Sequence, residues 1–411
     1  MQLNKNKILN DPVYGFITIP NDLIFDIIEH PYFQRLRRIK QLGLTNLVYP
    51  GALHTRFHHA IGAMHLMGSV MDNLRLKGVE ISDEELMAAR LAILLHDIGH
   101  GPFSHTLEFS LIKGIRHEEI SLLFFKRLNK IFDGALDLAI KIFDGSYHRK
   151  FFCQLVSSQL DIDRIDYLMR DSYFTGVSEG TIGTDRIIKM LNVKHEEIVV
   201  EEKGIYSIEN FLSARRLMYW QVYLHKTSVC AEKMLIEMIS RARKLSQMGV
   251  HVEATPAFKI FLERTIKKSD FEEDPDIIDV FSLLDDYDIW GSMKFWRNHE
   301  DFVLSTLSAM LLDRKIFQVQ FDNEKPSKEI RSKIKLNVAN EFDVSLEEAQ
   351  YFVGNGKISN AAYILKGESI NILTKKGAIQ DIVQATDLPN IKAMSKVVTK
   401  YFLCWPKGIA L

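Results

Sequence analysis

Eight of the 14 histidines crowd between residues 54 and 117: His54, His58, His59, His65, His96, His100, His105 and His117. Imidazole both ligates divalent ions and moves protons near neutral pH, so such a segment points to metal or acid–base chemistry. Within it, His96-Asp97 closes a very apolar run, Leu91-Ala92-Ile93-Leu94-Leu95, where an unpaired carboxylate is costly to bury. An imidazole and its neighbouring carboxylate can reach one ion at a frayed helix end, and two further ligands would complete a mixed nitrogen–oxygen sphere. His59 and Asp163 are candidates; such a set suits a first-row divalent ion without dictating which. A capping pair is the alternative for His96-Asp97 taken alone.

Groups suited to an anionic substrate surround these four. His100 follows His96 by four residues, so both can face one cavity. His105-Thr106-Leu107-Glu108 places a carboxylate one turn from an imidazole, which orients the ring and raises its basicity. His105 is therefore a candidate general acid with Glu108 as its partner. Tyr167, Arg170 and Asp171 follow Asp163 at i+4, i+7 and i+8 and share a helix face, flanked by Arg164, while Arg56 precedes His59 by one turn. Cationic groups beside a metal are what a polyphosphate requires. Surface ion pairs, Arg170–Asp171 and Arg164–Asp161, are the competing explanation.

Three stretches carry a resemblance: Arg56-Phe57-His58-His59-Ala60-Ile61-Gly62, His96-Asp97-Ile98-Gly99-His100-Gly101-Pro102-Phe103-Ser104-His105, and Asp161 through Asp171. With Asn10-Asp11-Pro12-Val13-Tyr14-Gly15 and Phe33 through Gly43, they resemble the HD-domain phosphohydrolases, and within these the deoxynucleoside triphosphate triphosphohydrolase branch. The likeness runs to about residue 230 and is thin beyond.

The resemblance implies that His59, His96, Asp97 and Asp163 hold one divalent metal, with Mn, Fe, Mg, Zn, Ni and Co all open. It implies phosphate contacts from Arg56, Arg164 and Tyr167. Asp171 and Gln41 would hold the sugar 3′-hydroxyl, and Tyr223 would lie under the deoxyribose, where it would crowd out a 2′-hydroxyl. His117 matches a family histidine near the phosphates. Glu108 stands where members often carry Asp. In the expected reaction, the metal with His100 and His117 polarises the α-phosphate and a bound water, water attacks the α-phosphorus, and His105 protonates the departing 5′-oxygen. The family also implies a dimer or tetramer and, in some members, an activating nucleotide between subunits. Lys7, Glu29, Gln34 and Arg37 align with such a site, against the alternative of a solvated basic face around Arg35-Leu36-Arg37-Arg38. A different HD phosphohydrolase or a non-catalytic nucleotide-binding scaffold are the other readings.

These residues need helices to carry them. Ser82-Asp83-Glu84-Glu85 reads as a capped helix start leading into an apolar run that stops at Gly99-His100-Gly101-Pro102. Helices are also expected from about Phe57 to Leu74, Phe151 to Tyr173, and Ser207 to Met248. Hairpins are expected around Ile17-Thr18-Ile19 and from Ile198-Val199-Val200 to Ile205-Tyr206-Ser207, with an exposed acidic loop from Asp270 to Asp279. The fold class is mainly α: an HD-type helical bundle over residues 1–319 and a smaller α+β lobe from 320 to 411, with strands around Ala362–Leu365 and Ile370–Leu373.

Composition supports an ordinary globular chain. Its 411 residues hold 52 Lys+Arg against 53 Asp+Glu, and the net charge of -1 argues against broad nucleic-acid binding. No apolar run approaches the ~18 residues of a membrane span. Cys153, Cys230 and Cys404 form no CxxC pair, which suits reduced thiols and a cytoplasmic protein.

Overall fold

A computed structural model of the chain describes residues 7–108, 112–274, 276–361, 363, 369–388 and 396–410. Helices dominate. The central one, Arg56–Leu76, is buried on nearly every side rather than along one stripe, as expected of a helix surrounded by others. Small residues let its neighbours approach: a Cβ at Gly62 would strike the Arg170 guanidinium, and one at Gly68 would strike Arg90. Helices Asp83–Leu95 and Ile162–Thr175 pack against it. Ser82 and Glu85 form the capping box read from the sequence, contributing about 1 kcal/mol.

Several expected elements are reshaped. The helix entering His96 ends at Leu95, so His96 through Gly99 lie in a turn, earlier than the expected stop at Gly99. The expected 151–173 helix is two, Lys150–Val156 and Ile162–Thr175, because Asp161 caps a fresh start by accepting the Arg164 N–H at 2.8 Å. Gly176, at φ 73, ends the second as expected. The expected 207–248 helix breaks likewise. Ile205–Met218 loosens into a π-helical turn, Tyr219–Tyr223, and His225 then caps Lys226–Gln247 through its ring nitrogen. The acidic stretch after residue 268 is not a loop but helices Lys268–Glu273 and Asp276–Ser282.

Strand pairing also differs. Ile8–Asp11 and Gly15–Thr18 form the expected N-terminal hairpin. Glu197–Glu201, however, pairs back with Leu191–Lys194, because His195 and Glu196 take positive φ and make the tight turn there. Ile205 begins a helix instead. Asn371–Leu373 adds in parallel to Glu197–Glu201, and Ile379–Asp381 extends that sheet. Strand Val398–Trp405 sits between Gln318–Asp322 and Gly354–Asn360. Of the expected Ala362–Leu365 strand, only Tyr363 lies within the described residues. Among the described residues no helix is long and apolar enough to cross a membrane.

Candidate active site

Three segments far apart in sequence meet at one point. His59 Nε2 lies 3.1 Å from Asp163 Oδ1 and 3.3 Å from His96 Nε2, and His96 Nε2 lies 3.5 Å from Asp163 Oδ1. Donors bound to one first-row divalent ion at about 2.0–2.2 Å stand roughly 3.0–3.4 Å apart. The trio therefore fits a metal by donor type and by spacing. Asp97 stands beside it, with Oδ1 3.5 Å from His96 Nε2 and Oδ2 3.7 Å from His59 Nε2. Its Oδ2 is also paired with Arg56.

The imidazoles are held in place from behind. His59 Nδ1 is 2.7 Å from Asp166 Oδ2, and His96 Nδ1 is 2.6 Å from the Ile93 carbonyl, so both Nε2 atoms face the centre. Burial works against charge on His59, but its bonds to Asp163 and Asp166 outweigh this and lift its pKa to about 10. Asp163 is pulled well below the usual carboxylate range: burial opposes this, and hydrogen bonds from His59 and His96 override it. An environment that favours a proton on imidazole between carboxylates also favours a metal cation in its place.

Over the ligands opens a cavity of about 680 Å3, lined by Gln41, Arg56, Arg164, Tyr167, Asp171 and Tyr223 as well as by His100 and His117. Asp171 accepts the Tyr223 hydroxyl on Oδ2 at 2.7 Å and faces His54 Nε2 through Oδ1 at 2.7 Å. His54 thus holds Asp171 from behind the cavity wall. His58 instead completes the Thr55 capping box at the start of its helix. Tyr167 and Tyr219 meet the Tyr223 ring edge-on, with centroids at 6.0 and 5.0 Å. The Gln41 Oε1 is buried without a hydrogen-bond partner among the described residues.

The cations divide by role. Arg56 donates to Ser104 Oγ at 2.8 Å and pairs with Asp97. Arg164 pairs with Asp161 of its own helix start. Arg170 is fully buried against Asp166 at 2.9 Å and Asp11 at 2.7 Å, so it neither faces the cavity nor forms a surface pair. Arg35 is also fully buried, donating to the carbonyls of Ile98 and His100; the expected solvated face around it does not include it. Helical spacing in the sequence suits Arg215 equally to a pocket-lining and to a core or interface position. Arg215 is 7% exposed, its Nε and Nη1 have no hydrogen-bond partner among the described residues, and it lies over the Tyr219 ring. A buried guanidinium with orphaned nitrogens is costly unless an anion joins it.

His100 and His117 stack with centroids 3.9 Å apart, and His100 Nδ1 lies 3.3 Å from Asp97 Oδ1. Burial, then Arg56, pushes the His100 pKa well below its ordinary value, so this ring is neutral. Glu108 accepts the backbone N–H of His117 at 2.9 Å and lies 2.9 Å from its Nδ1. The sequence reading paired Glu108 with His105, whose side chain lies outside the described residues. At the other proposed site, Arg37 donates to Gln34 at 2.9 Å, and Lys7 sits over Phe25, one turn before Glu29 on the same helix.

A helical bundle that gathers two histidines and two aspartates beneath guanidinium groups defines the class of phosphohydrolases that work with a divalent metal. The HD domain model matches residues 56–168 and the HD associated region matches residues 182–253. A phosphohydrolase structure from Bacteroides thetaiotaomicron is 51% identical, covers 98% of this chain and all of its own, and superposes with a TM-score of 0.95. The Bacillus subtilis protein YwfO is 31% identical over 99% of this chain and 94% of its own length. A Dictyostelium discoideum deoxynucleoside triphosphate triphosphohydrolase, a SAMHD1 homolog, is 31% identical over 66% of this chain; the chain spans 56% of that relative. This chain belongs to the HD-domain family of phosphohydrolases.

Proposed function

We propose that the protein hydrolyses deoxynucleoside triphosphates to a deoxynucleoside and inorganic triphosphate. The observation that carries this is the shared cavity. It is lined by His96, Asp97 and Asp163 together with Arg56, Arg164 and the Asp171–Tyr223 pair, and Arg215, with two unpartnered nitrogens, lies behind Tyr219. This supports an anionic, sugar-bearing substrate beside a metal. The similarity to triphosphohydrolases supports the same reading.

His59, His96, Asp97 and Asp163 would hold a divalent ion, which would supply Lewis-acid polarisation of a phosphoryl oxygen. Arg56, Arg164, Tyr167 and Arg215 bind the triphosphate. Gln41 and Asp171 hold the 3′-hydroxyl, and Tyr223, fixed by its bond to Asp171, closes the space a 2′-hydroxyl would need. His117, oriented by Glu108, and neutral His100 orient the α-phosphate and the attacking water. His105, assigned by motif order, gives its proton to the leaving 5′-oxygen.

The enzyme works as a homo-oligomer, and Lys7, Glu29, Gln34 and Arg37 take an activating nucleotide. Its three cysteines form no disulfide among the described residues, which suits the cytoplasm. Incubation with each dNTP and a divalent metal, with products resolved by chromatography, tests the reaction. Triphosphate release is expected; release of pyrophosphate or orthophosphate points to another HD phosphohydrolase, and no release to a binding scaffold.

A further inference from the structure

We infer that Asp286 is a positioning residue for the reaction proposed above, tying two cavity segments together from outside both matched family regions. Three acids open the helix Asp286–Trp296. Asp285 and Asp288 serve that helix itself, as N-cap and partner in its capping box. Asp286 spends both oxygens elsewhere. Its Oδ2 accepts the Lys40 N–H at 2.9 Å, and its Oδ1 accepts the Phe103 N–H at 2.7 Å.

Both donors lead directly into the cavity. Lys40 precedes Gln41, and its carbonyl accepts the Ser104 hydroxyl at 3.2 Å. Ser104 Oγ accepts from Arg56 at 2.8 Å, and Arg56 pairs with Asp97. One carboxylate therefore sets the relative position of Gln41, of Arg56 and of the turn that continues into His105. That turn needs an external hold. Phe103 and Ser104, at φ 55 and 54, are consecutive non-glycine residues in the left-handed region, a conformation that persists only where the surroundings enforce it. Trp290, one turn further along the Asp286 helix, packs against the Phe103 ring at 5.8 Å and under the Lys40 ammonium at 5.9 Å.

Asp286 is 2% exposed, and burial lifts its pKa to about 6 against the hydrogen bonds from Phe103 and Lys40. The charged groups around it are Lys40 and Asp285, with Arg35 close enough to feel its charge and Arg38 paired to Asp285. The two backbone N–H groups that Asp286 accepts are what hold this buried carboxyl in place. Asp286→Asn has the same shape and no charge, but its amide offers a donor where one backbone N–H needs an acceptor.

The test uses the full-length metal-loaded protein. For Asp286→Asn the expected result is a folded protein whose thermal midpoint falls by a few degrees, and faster deuterium uptake in residues 38–42 and 101–107. Its kcat should fall by about tenfold or more, with KM changed under threefold. Wild-type kcat, or unchanged uptake in both segments, overturns the inference. If Asp286→Asn does not fold, Asp286→Glu decides on the same readouts: folded with reduced kcat supports the role, while wild-type kcat or failure to fold overturns it. Activity is read on dNTPs and on bis(p-nitrophenyl) phosphate. A wild type that cleaves only the latter defeats the dNTP reading and leaves the Asp286 test standing.

Discussion

Asp166 stands 2.7 Å behind His59, on Nδ1, and so points Nε2 at His96 and Asp163. The same carboxylate receives Arg170, which Asp11 also holds. A metal ligand, its orienting acid and the acid's own cation thus form a buried chain from the N-terminal hairpin to the centre. Asp166→Asn keeps the shape and removes the charge. We expect metal affinity to fall by about 10–100-fold in a titration followed by elemental analysis. Affinity equal to wild type would show that His59 needs no such support.

Arg215 supplies the sharpest test of an anionic substrate. Its guanidinium is buried with two nitrogens unpartnered, so triphosphate should satisfy what the free protein leaves bare. Arg215→Ala is expected to raise KM for dNTP about tenfold or more, the loss of one charge-assisted hydrogen bond of about 1.5–3 kcal/mol. Its thermal midpoint should hold or rise, because an unpaired buried charge is removed. An unchanged KM would remove Arg215 from the substrate site.

Gly99 reads in the sequence as a helix stop, but its structural duty is closeness. A Cβ there would lie 2.2 Å from the His117 carbonyl and 2.3 Å from the Ser121 nitrogen, both backbone atoms of the neighbouring helix. The Gly99 N–H donates to Ser121 Oγ, which in turn donates to the His96 carbonyl. Gly99→Ala should destabilise by about 3 kcal/mol and loosen the turn holding His96 and Asp97. Chemical denaturation reads the loss, and a change under about 0.5 kcal/mol would contradict the close packing.

Motif order pointed to His59, His96, Asp97 and Asp163 and to the residues that line the cavity; helical periodicity carried only those on helices, such as His59, Asp163, Arg164 and Tyr167, while His96, Asp97 and Gln41 lie in turns. What escaped was set by tertiary partners. His54 looks like any loop histidine until Asp171 stands opposite it, and Arg35, in a basic run, is buried because the Ile98 and His100 carbonyls need a donor. The breaks at Asp161 and at Tyr219–Tyr223 interrupt runs without Pro or Gly, so periodicity alone carried the expected helices through them. Asp286 lies 183 residues from Phe103 in sequence, a separation across which local patterns carry no signal.

The helix that delivers His96 is anchored at its start by an acid clip. Glu85 closes the capping box on Ser82 and accepts from Arg149 at 2.8 Å and from the Tyr147 hydroxyl at 2.7 Å. Burial works to raise its pKa, but Arg149, the Ser82 N–H and Tyr147 prevail and hold it at about 2, below the ordinary 4.5. A carboxyl depressed on folding contributes stability that is fully present above its ordinary pKa and is lost as pH falls through the folded value. Glu85→Gln should therefore lower stability by about 1 kcal/mol at pH 7, a figure discounted for partial solvent exposure. That gap should narrow steadily as pH falls from 4.5 towards 2. Urea unfolding of both proteins across this range reads the difference, and a gap as large near pH 2 as at pH 7 would assign the stabilisation to packing instead of charge.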